Sequence, residues 1–257
     1  MSVVELGAAC FAAARAGAQV LREKYDQPRH IELKGRIDLV TDADKASEEA
    51  VLRKLHELMP GVPVLAEESG LHAGTGSARF IVDPLDGTTN YAHGVPLFCC
   101  TVAADVAGLP VAGCTIDPLR SETFFAVRGG GAQLNGRPLR VSPVTQLVES
   151  LVCTGFPYGD RAELPAMIAR FARLTELSRG TRRLGSAALD LAYVATGRLD
   201  AFWESNLKPW DVAAGQLFVE EAGGVVTRYD GSKHALDGGE ILASAPGIQQ
   251  AMITSLR

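Results

Sequence analysis

Ala78-Arg79-Phe80-Ile81-Val82-Asp83-Pro84-Leu85-Asp86-Gly87-Thr88-Thr89-Asn90 is the stretch on which the reading of this chain turns. Phe80–Asp83 reads as a strand, ended by Pro84, which has no N–H for a ladder bond. Asp86 follows three residues after Asp83. Two carboxylates on one tight loop can converge on a hard cation, which takes oxygen ligands, and the Leu85 carbonyl lies between them as a third oxygen. Gly87 lets backbone approach an anion closely. The amides of Gly87, Thr88 and Thr89 can then cradle a phosphate, above all if a helix starts there. The same residue types also build a plain capped turn. On this segment alone both readings stand.

Acids elsewhere shift the balance. Ala66-Glu67-Glu68-Ser69 ends another apolar strand in acid, Trp210-Asp211 opens a helix, and Asp38, Thr41, Asp42 and Asp44 precede or open a further one. A first-turn Asp alone is usually a cap or a dipole partner.

The rest of the chain sets the frame. It has 257 residues, with 25 Lys plus Arg against 30 Asp plus Glu, a net charge of −5. That disfavours a general nucleic-acid binder, which needs a basic surplus. An apolar share of 47% excludes a disordered chain. The cysteines (Cys10, Cys99, Cys100, Cys114, Cys153) are odd in number and form no C-x-x-C pair. This argues against a disulfide framework or a zinc site and for a reducing compartment. Glu5 stands where a signal peptide would be basic, and the uncharged stretch 87–104 carries Asn, His, Gly and Pro. The expectation is a cytoplasmic protein with no membrane span.

Helical spacing of Val3, Leu6, Cys10, Ala13 and Val20 predicts a helix over Val3–Tyr25, with Gly17 on its apolar stripe. A second helix runs from a Thr41 or Asp42 cap to about Met59, with Ala50, Leu52, Leu55 and Leu58 buried and Pro60-Gly61 as its stop. Val62–Glu67 is a short strand, and Cys99–Val127 reads as an antiparallel meander followed by an Asn135-Gly136 hairpin turn. After about residue 145 strands and helices alternate: strands at 150–154, 181–184, 199–204, 225–229 and 240–244, helices at 162–178, 187–196 and 210–222, then a short C-terminal helix. The expectation is an α+β half (1–144) carrying the acidic loop and an α/β half (145–257) supplying Asp211 and a substrate wall, packed as one body.

Glu67-Glu68-Ser69, then Asp83-Pro84-Leu85-Asp86-Gly87-Thr88-Thr89-Asn90, then Trp210-Asp211 with Ala213-Ala214-Gly215 resemble the inositol monophosphatase family of magnesium-dependent, lithium-sensitive phosphatases. Asp38-Leu39-Val40-Thr41 with Asp44, Leu184-Gly185-Ser186-Ala187-Ala188 and Gly197-Arg198-Leu199-Asp200-Ala201 through Glu204 agree, so the resemblance covers essentially the whole chain. It implies a layered α-β-α-β-α sandwich, two to three Mg²⁺ ions and a homodimer. Glu67, Asp83, Asp86, Asp211 and the Leu85 carbonyl match the metal ligands. Thr88 and Asp44 match the pair that orients and deprotonates the attacking water. The Gly87 and Thr88 amides match the phosphate cradle, and Gly185, Ser186, Ala187 and Glu204 line the substrate's alcohol portion. One departure is Lys34-Gly35-Arg36-Ile37, where relatives carry a Lys-Ser-Ser-Pro type loop.

The reaction so implied is hydrolysis of a phosphate monoester by a metal-activated water, with Asp86 helping to place the water that protonates the leaving oxygen. An all-oxygen donor set suits Mg²⁺ rather than Zn²⁺. The expected substrate is inositol monophosphate: Glu204 suits a polyol's hydroxyls, and Gly155-Phe156-Pro157-Tyr158 and Asn206-Leu207-Lys208-Pro209-Trp210-Asp211 resemble inositol monophosphatases more than their relatives; histidinol phosphate or another small ester is the alternative. Haloacid-dehalogenase phosphatases, the rival with a covalent Asp, use Asp-x-Asp rather than Asp-x-x-Asp. Bacterial relatives also bind the transcription apparatus, which keeps a non-catalytic regulatory role open. The histidines show no metal spacing, and Arg179, Arg182 and Arg183 read first as solvated surface.

Overall fold

The computed structural model describes residues 1–27, 31–33, 39–156, 162–236 and 239–257. The expectations at His30, Lys34–Asp38, Pro157 and Tyr158 lie outside the described residues. In chain order the elements are α1 (Val3–Lys24), β1 (Ile31–Leu33), β2 (Leu39–Thr41), α2 (Asp42–Leu58), β3 (Val64–Ala66), β4 (Gly70–His72), β5 (Ala78–Asp86) and α3 (Thr88–Ala92). Then come β6 (Cys99–Val106), β7 (Leu109–Asp117), β8 (Glu122–Val127), β9 (Ala132–Leu134), β10 (Arg137–Pro138) and β11 (Leu151–Thr154). The chain finishes with α4 (Leu164–Leu177), β12 (Gly180–Arg182), α5 (Ala187–Ala195), β13 (Ala201–Leu207), α6 (Pro209–Glu221), β14 (Val225–Thr227), β15 (Gly239–Ser244) and α7 (Gln249–Leu256).

Eight strands form one sheet in the order β10-β9-β8-β7-β6-β5-β3-β4, and five form another in the order β12-β11-β13-β15-β14. The large sheet is antiparallel except where β3 runs parallel to β5. The small sheet is mixed: β11 lies parallel to β12 and β13, and the other pairs are antiparallel. Tight turns at Ala107-Gly108 and Asn135-Gly136 place both central residues at positive φ, the twist a two-residue hairpin needs.

Strand alternation sorts the side chains into layers. Phe80, Val82, Cys100 and Val102 pack with α1 and α2 on one face of the large sheet. Ile81, Cys99 and Ala103 face the other way and pack with α5 and α6, which also bury Cys153, Phe202, Ile241 and Ala243 of the small sheet. Val152, Ala201, Trp203 and Leu242 on the far side pack with Leu174 of α4 and Met252 and Leu256 of α7. The result is the α-β-α-β-α sandwich.

Local differences from the expected pattern have local causes. α1 ends its buried stripe on Leu21 rather than Val20, while Val3 is exposed. By length and composition α1 could cross a membrane, but its face from Leu6 to Leu21 is buried in the protein core. Gly17 sits where a Cβ would come within 2.6 Å of Cys100 Sγ and 2.7 Å of Val51 Cγ2, so the stripe needs a glycine for close helix packing. Leu58, expected inside, is the last residue of α2 and is exposed. β5 does not stop at Asp83 but runs on to Asp86 through a bulge.

Candidate active site

The bulge is what makes the acidic motif work. In a regular strand residues i and i+3 point to opposite faces. Here Asp83 pairs with Thr101 and Asp86 with Cys99, so three steps on β5 oppose two on β6. The extra residue brings both carboxylates to one side. Pro84 is tolerated because a bulge does not call on its missing N–H. Asp83 Oδ1 accepts from the Leu85 amide at 3.0 Å, and Ser47 Oγ donates to the Pro84 carbonyl at 2.8 Å, fixing the bulge from both sides.

Asp211 arrives from the first turn of α6, its Oδ2 accepting from the Lys208 amide at 2.6 Å. One carboxylate oxygen from each of Asp83, Asp86 and Asp211 lies within 4.8 Å of the others. Glu67 follows β3, its amide donating to the Val82 carbonyl at 3.1 Å, which sets it beside Asp83. Burial first, and then the charges of Glu67, Asp86 and Asp211, push the Asp83 carboxyl well above the usual carboxylate range. Burial and Asp86 do the same to Asp211. Asp86 is raised by burial, against the opposing pull of Ser186 and the α5 amides. Ser186 Oγ and the Ala188 amide donate to Asp86 Oδ2 at 2.5 and 2.8 Å. Mutually repelling oxygens, buried on Asp83 and Asp86 and half-buried on Glu67 and Asp211, with no cysteine or histidine in the group among the described residues, fit a hard divalent cation.

Thr88 opens α3 behind Gly87, whose φ is 94° and whose missing Cβ would meet the Leu97 carbonyl at 2.9 Å. Thr88 Oγ1 lies 3.0 Å from both Asp44 Oδ1 and the Leu85 carbonyl. Asp44 is fully buried, and its Oδ2 is taken by the Thr41 amide and hydroxyl in a capping box at 2.8 and 2.6 Å. Its Oδ1 is thereby left facing Thr88.

Every residue matched above to a metal, phosphate-cradle or substrate-wall role lines one cleft of about 580 Å³, and Asp44 reaches that cleft through Thr88. Gly185, Ser186 and Ala187 form its wall where α5 begins, and Glu204 closes it from β13. Burial, then Asp190 and Asp211, push the Glu204 carboxyl well up. Gly155 packs against that carboxylate so closely that a Cβ would sit 2.0 Å from Oε2.

Other lining residues were not read as site residues from the sequence. Arg183, read as solvated surface, is exposed but stands at the cleft, whereas Arg179 and Arg182 face solvent. Trp210 lines the cleft as well as packing on the central core, while Trp203 is buried in the core. Asn90, the last residue of the quoted motif, donates to the Leu97 and Leu184 carbonyls at 2.7 and 2.8 Å and so ties the loop before α5 to the motif. Asp190 lines the cleft from within α5; an acid inside the otherwise apolar run 187–195 was its signal. The five cysteines are free and buried, and Cys99 Sγ sits 3.8 Å from Asp86 Oδ2. The triple glycine at 129–131 bonds a protein carboxylate, Glu221, through two amides at 2.9 Å.

Comparison with known proteins agrees with this architecture. The model of the inositol monophosphatase family matches residues 3–257. An inositol-1-monophosphatase of Mesorhizobium japonicum is 42% identical over 248 residues, 96% of this chain and 93% of that protein. The Nus factor SuhB of Salmonella typhimurium is 40% identical over 248 residues, covering 95% and 93%. The crystal structure of the extragenic suppressor protein suhB from Bartonella henselae superposes with a TM-score of 0.93 at 38% identity, over 97% of each chain. Matched in sequence from end to end and in fold across both sheets, the chain belongs to the inositol monophosphatase family.

Proposed function

We propose that the protein is a Mg²⁺-dependent phosphate monoester hydrolase whose substrate is inositol 1-phosphate. The observation that carries this reading is the convergence of Asp83, Asp86 and Asp211 beside the Thr88–Asp44 pair in one cleft. Glu67, Asp83, Asp86, Asp211 and the Leu85 carbonyl hold two to three Mg²⁺ ions, whose chemistry is to neutralise phosphoryl charge and to acidify a water.

The chain's own groups do the rest. Thr88 has one hydroxyl proton and two acceptors at equal distance. The charged one, Asp44 Oδ1, makes the stronger bond. That leaves a Thr88 lone pair to accept from a water and aim it at phosphorus. As the water attacks, its proton passes to Thr88 Oγ1 while the Thr88 proton moves to Asp44 Oδ1. The Gly87 and Thr88 amides cradle the phosphate. Asp86, held by Ser186 and the Ala188 amide, places the water that protonates the departing alcohol. Glu204 accepts from that alcohol's hydroxyls. The name of the Mesorhizobium relative supports inositol 1-phosphate over histidinol phosphate. Free buried cysteines suit the cytoplasm, and a homodimer is the expected assembly.

Mg²⁺-dependent phosphate release from inositol 1-phosphate and histidinol phosphate tests the proposal. A higher kcat/KM on the inositol ester is expected, and the reverse order reassigns the substrate. No release from either removes the enzymatic reading, and a phosphoenzyme trapped on Asp83 replaces water attack with a covalent route. The 40% identical Nus factor relative favours one second reading, a regulatory partner of the transcription machinery. That reading requires an Asp83→Asn variant without turnover to copurify with transcription complexes.

A further inference from the structure

Asp190 is only 1% exposed, yet its Oδ1 makes no hydrogen bond. The charges of Asp86, Glu204 and Arg183 act on the same carboxyl. It lines the cleft on the stretch of wall shared with Asp86 and Glu204, the acids proposed above to face the leaving oxygen and the alcohol's hydroxyls. A buried acceptor without a partner destabilises a protein, and a carboxylate more than most. Its place in the first turn of α5 suits the helix dipole, a role that an exposed acid fills as well, and every other residue from Ala187 to Ala195 is an apolar or aromatic side chain in the core. A costly polar atom on a cleft wall is the pattern expected where the missing partner comes with the ligand.

We propose that Asp190 is a specificity-determining residue whose carboxyl group accepts a hydrogen bond from a hydroxyl of the leaving alcohol. The inference rests on the phosphatase reading above and sharpens its substrate class. Glu204 and Asp190 together present two acceptors on one wall, which selects polyol esters bearing hydroxyls on more than one carbon. An ester whose leaving group lacks donors leaves both acids unmet, and a site built for a hydroxyl discriminates strongly against an analogue lacking it.

The test compares wild type, Asp190→Asn, which keeps one acceptor oxygen, and Asp190→Leu, which keeps the branching in a larger side chain and removes both. Three readouts are taken: Tm without ligand, steady-state kinetics on inositol 1-phosphate and phenyl phosphate, and calorimetric affinity for inositol 1-phosphate in a Thr88→Ala background. Asp190→Leu should raise the ligand-free Tm by ~2–4 °C. It should lower kcat/KM and affinity for inositol 1-phosphate by about tenfold or more, with a much smaller loss on phenyl phosphate. Asp190→Asn should fall between. Equal losses on both esters, or a lowered Tm with unchanged selectivity, overturn the inference while leaving the hydrolase reading intact. A wild type that hydrolyses neither ester removes the hydrolase reading, yet inositol 1-phosphate binding that depends on Asp190 still upholds the inference. Absence of such binding overturns it.

Discussion

Asp83→Asn isolates the electrostatics of the site without disturbing its backbone, because Asn retains the Oδ1 that accepts from the Leu85 amide. Two unit charges 4.8 Å apart, the upper limit of the separation of the Asp83, Asp86 and Asp211 oxygens, repel by about 3.5 kcal/mol at an effective dielectric of about 20. Asp83 faces two such charges, about 7 kcal/mol in all. Keeping a proton on an ordinary carboxyl at pH 7 costs about 4 kcal/mol. Burial and this repulsion act in the same direction and hold the Asp83 carboxyl of the metal-free site well above the usual carboxylate range. A carboxyl whose folded pKa is raised stabilises the fold fully below its unfolded pKa, and that contribution is lost as pH climbs through the folded value. Metal-free wild type should therefore lose stability from about pH 4 towards neutrality. Asp83→Asn should lose less and, at pH 7, should be more stable by about 2 kcal/mol, within the 4 kcal/mol ceiling, or ~4–8 °C in Tm. Scanning calorimetry over pH, with and without Mg²⁺, checks this. Wild type should gain Tm with Mg²⁺, and titration calorimetry in buffers of different ionisation enthalpy should show proton release on binding. The variant should show neither response and no turnover. A metal-free variant less stable than wild type, with an undiminished Mg²⁺ response, would falsify the repelling-acid account of the site.

Thr88→Ala should lower kcat on inositol 1-phosphate by ~10²–10⁴ with KM changed only a few-fold, read by steady-state kinetics; a loss confined to KM would place Thr88 in binding instead. Gly155→Ala puts a Cβ 2.0 Å from Glu204 Oε2 and must displace that carboxylate, so KM for inositol 1-phosphate should rise about tenfold while thermal stability changes little. Unchanged KM would show that Glu204 does not touch substrate. Gly17→Ala sets a helix-propensity gain of about 1 kcal/mol against overpacking of Cys100, Val51 and Ser47, each under 3.0 Å from the new Cβ, which costs ~1–3 kcal/mol. Packing should win and denaturant midpoints should fall; a stabilised variant would mean the α1–α2 contact has slack.

What the sequence made legible follows from the range of the forces involved. Helical periodicity and capping are local, so α1, α2 and the Thr41 cap with Asp44 at its third position were readable, as was the Asn135-Gly136 turn. The rule that proline ends a strand is local too, and it misled at Pro84. The bulge that excuses the proline is set by where β6 places Thr101 and Cys99, which no window around Pro84 contains. Without that bulge the spacing Asp83-x-x-Asp86 would put the two carboxylates on opposite faces, and they could not converge on one cation. Asp211 is tied to them only through α6 packing on the large sheet, so its membership came from family resemblance and not from spacing. Arg183 and Asp190 were missed for a related reason. Each was judged by its neighbours in sequence, a basic run and an apolar helix, whereas the cleft sees where β12 hands over to α5. That junction also supplies the Ser186 hydroxyl and the Ala188 amide that hold Asp86. The proposed metal ligand and the proposed substrate wall are therefore set by one backbone segment, and a shift of α5 by even one residue would unseat both together.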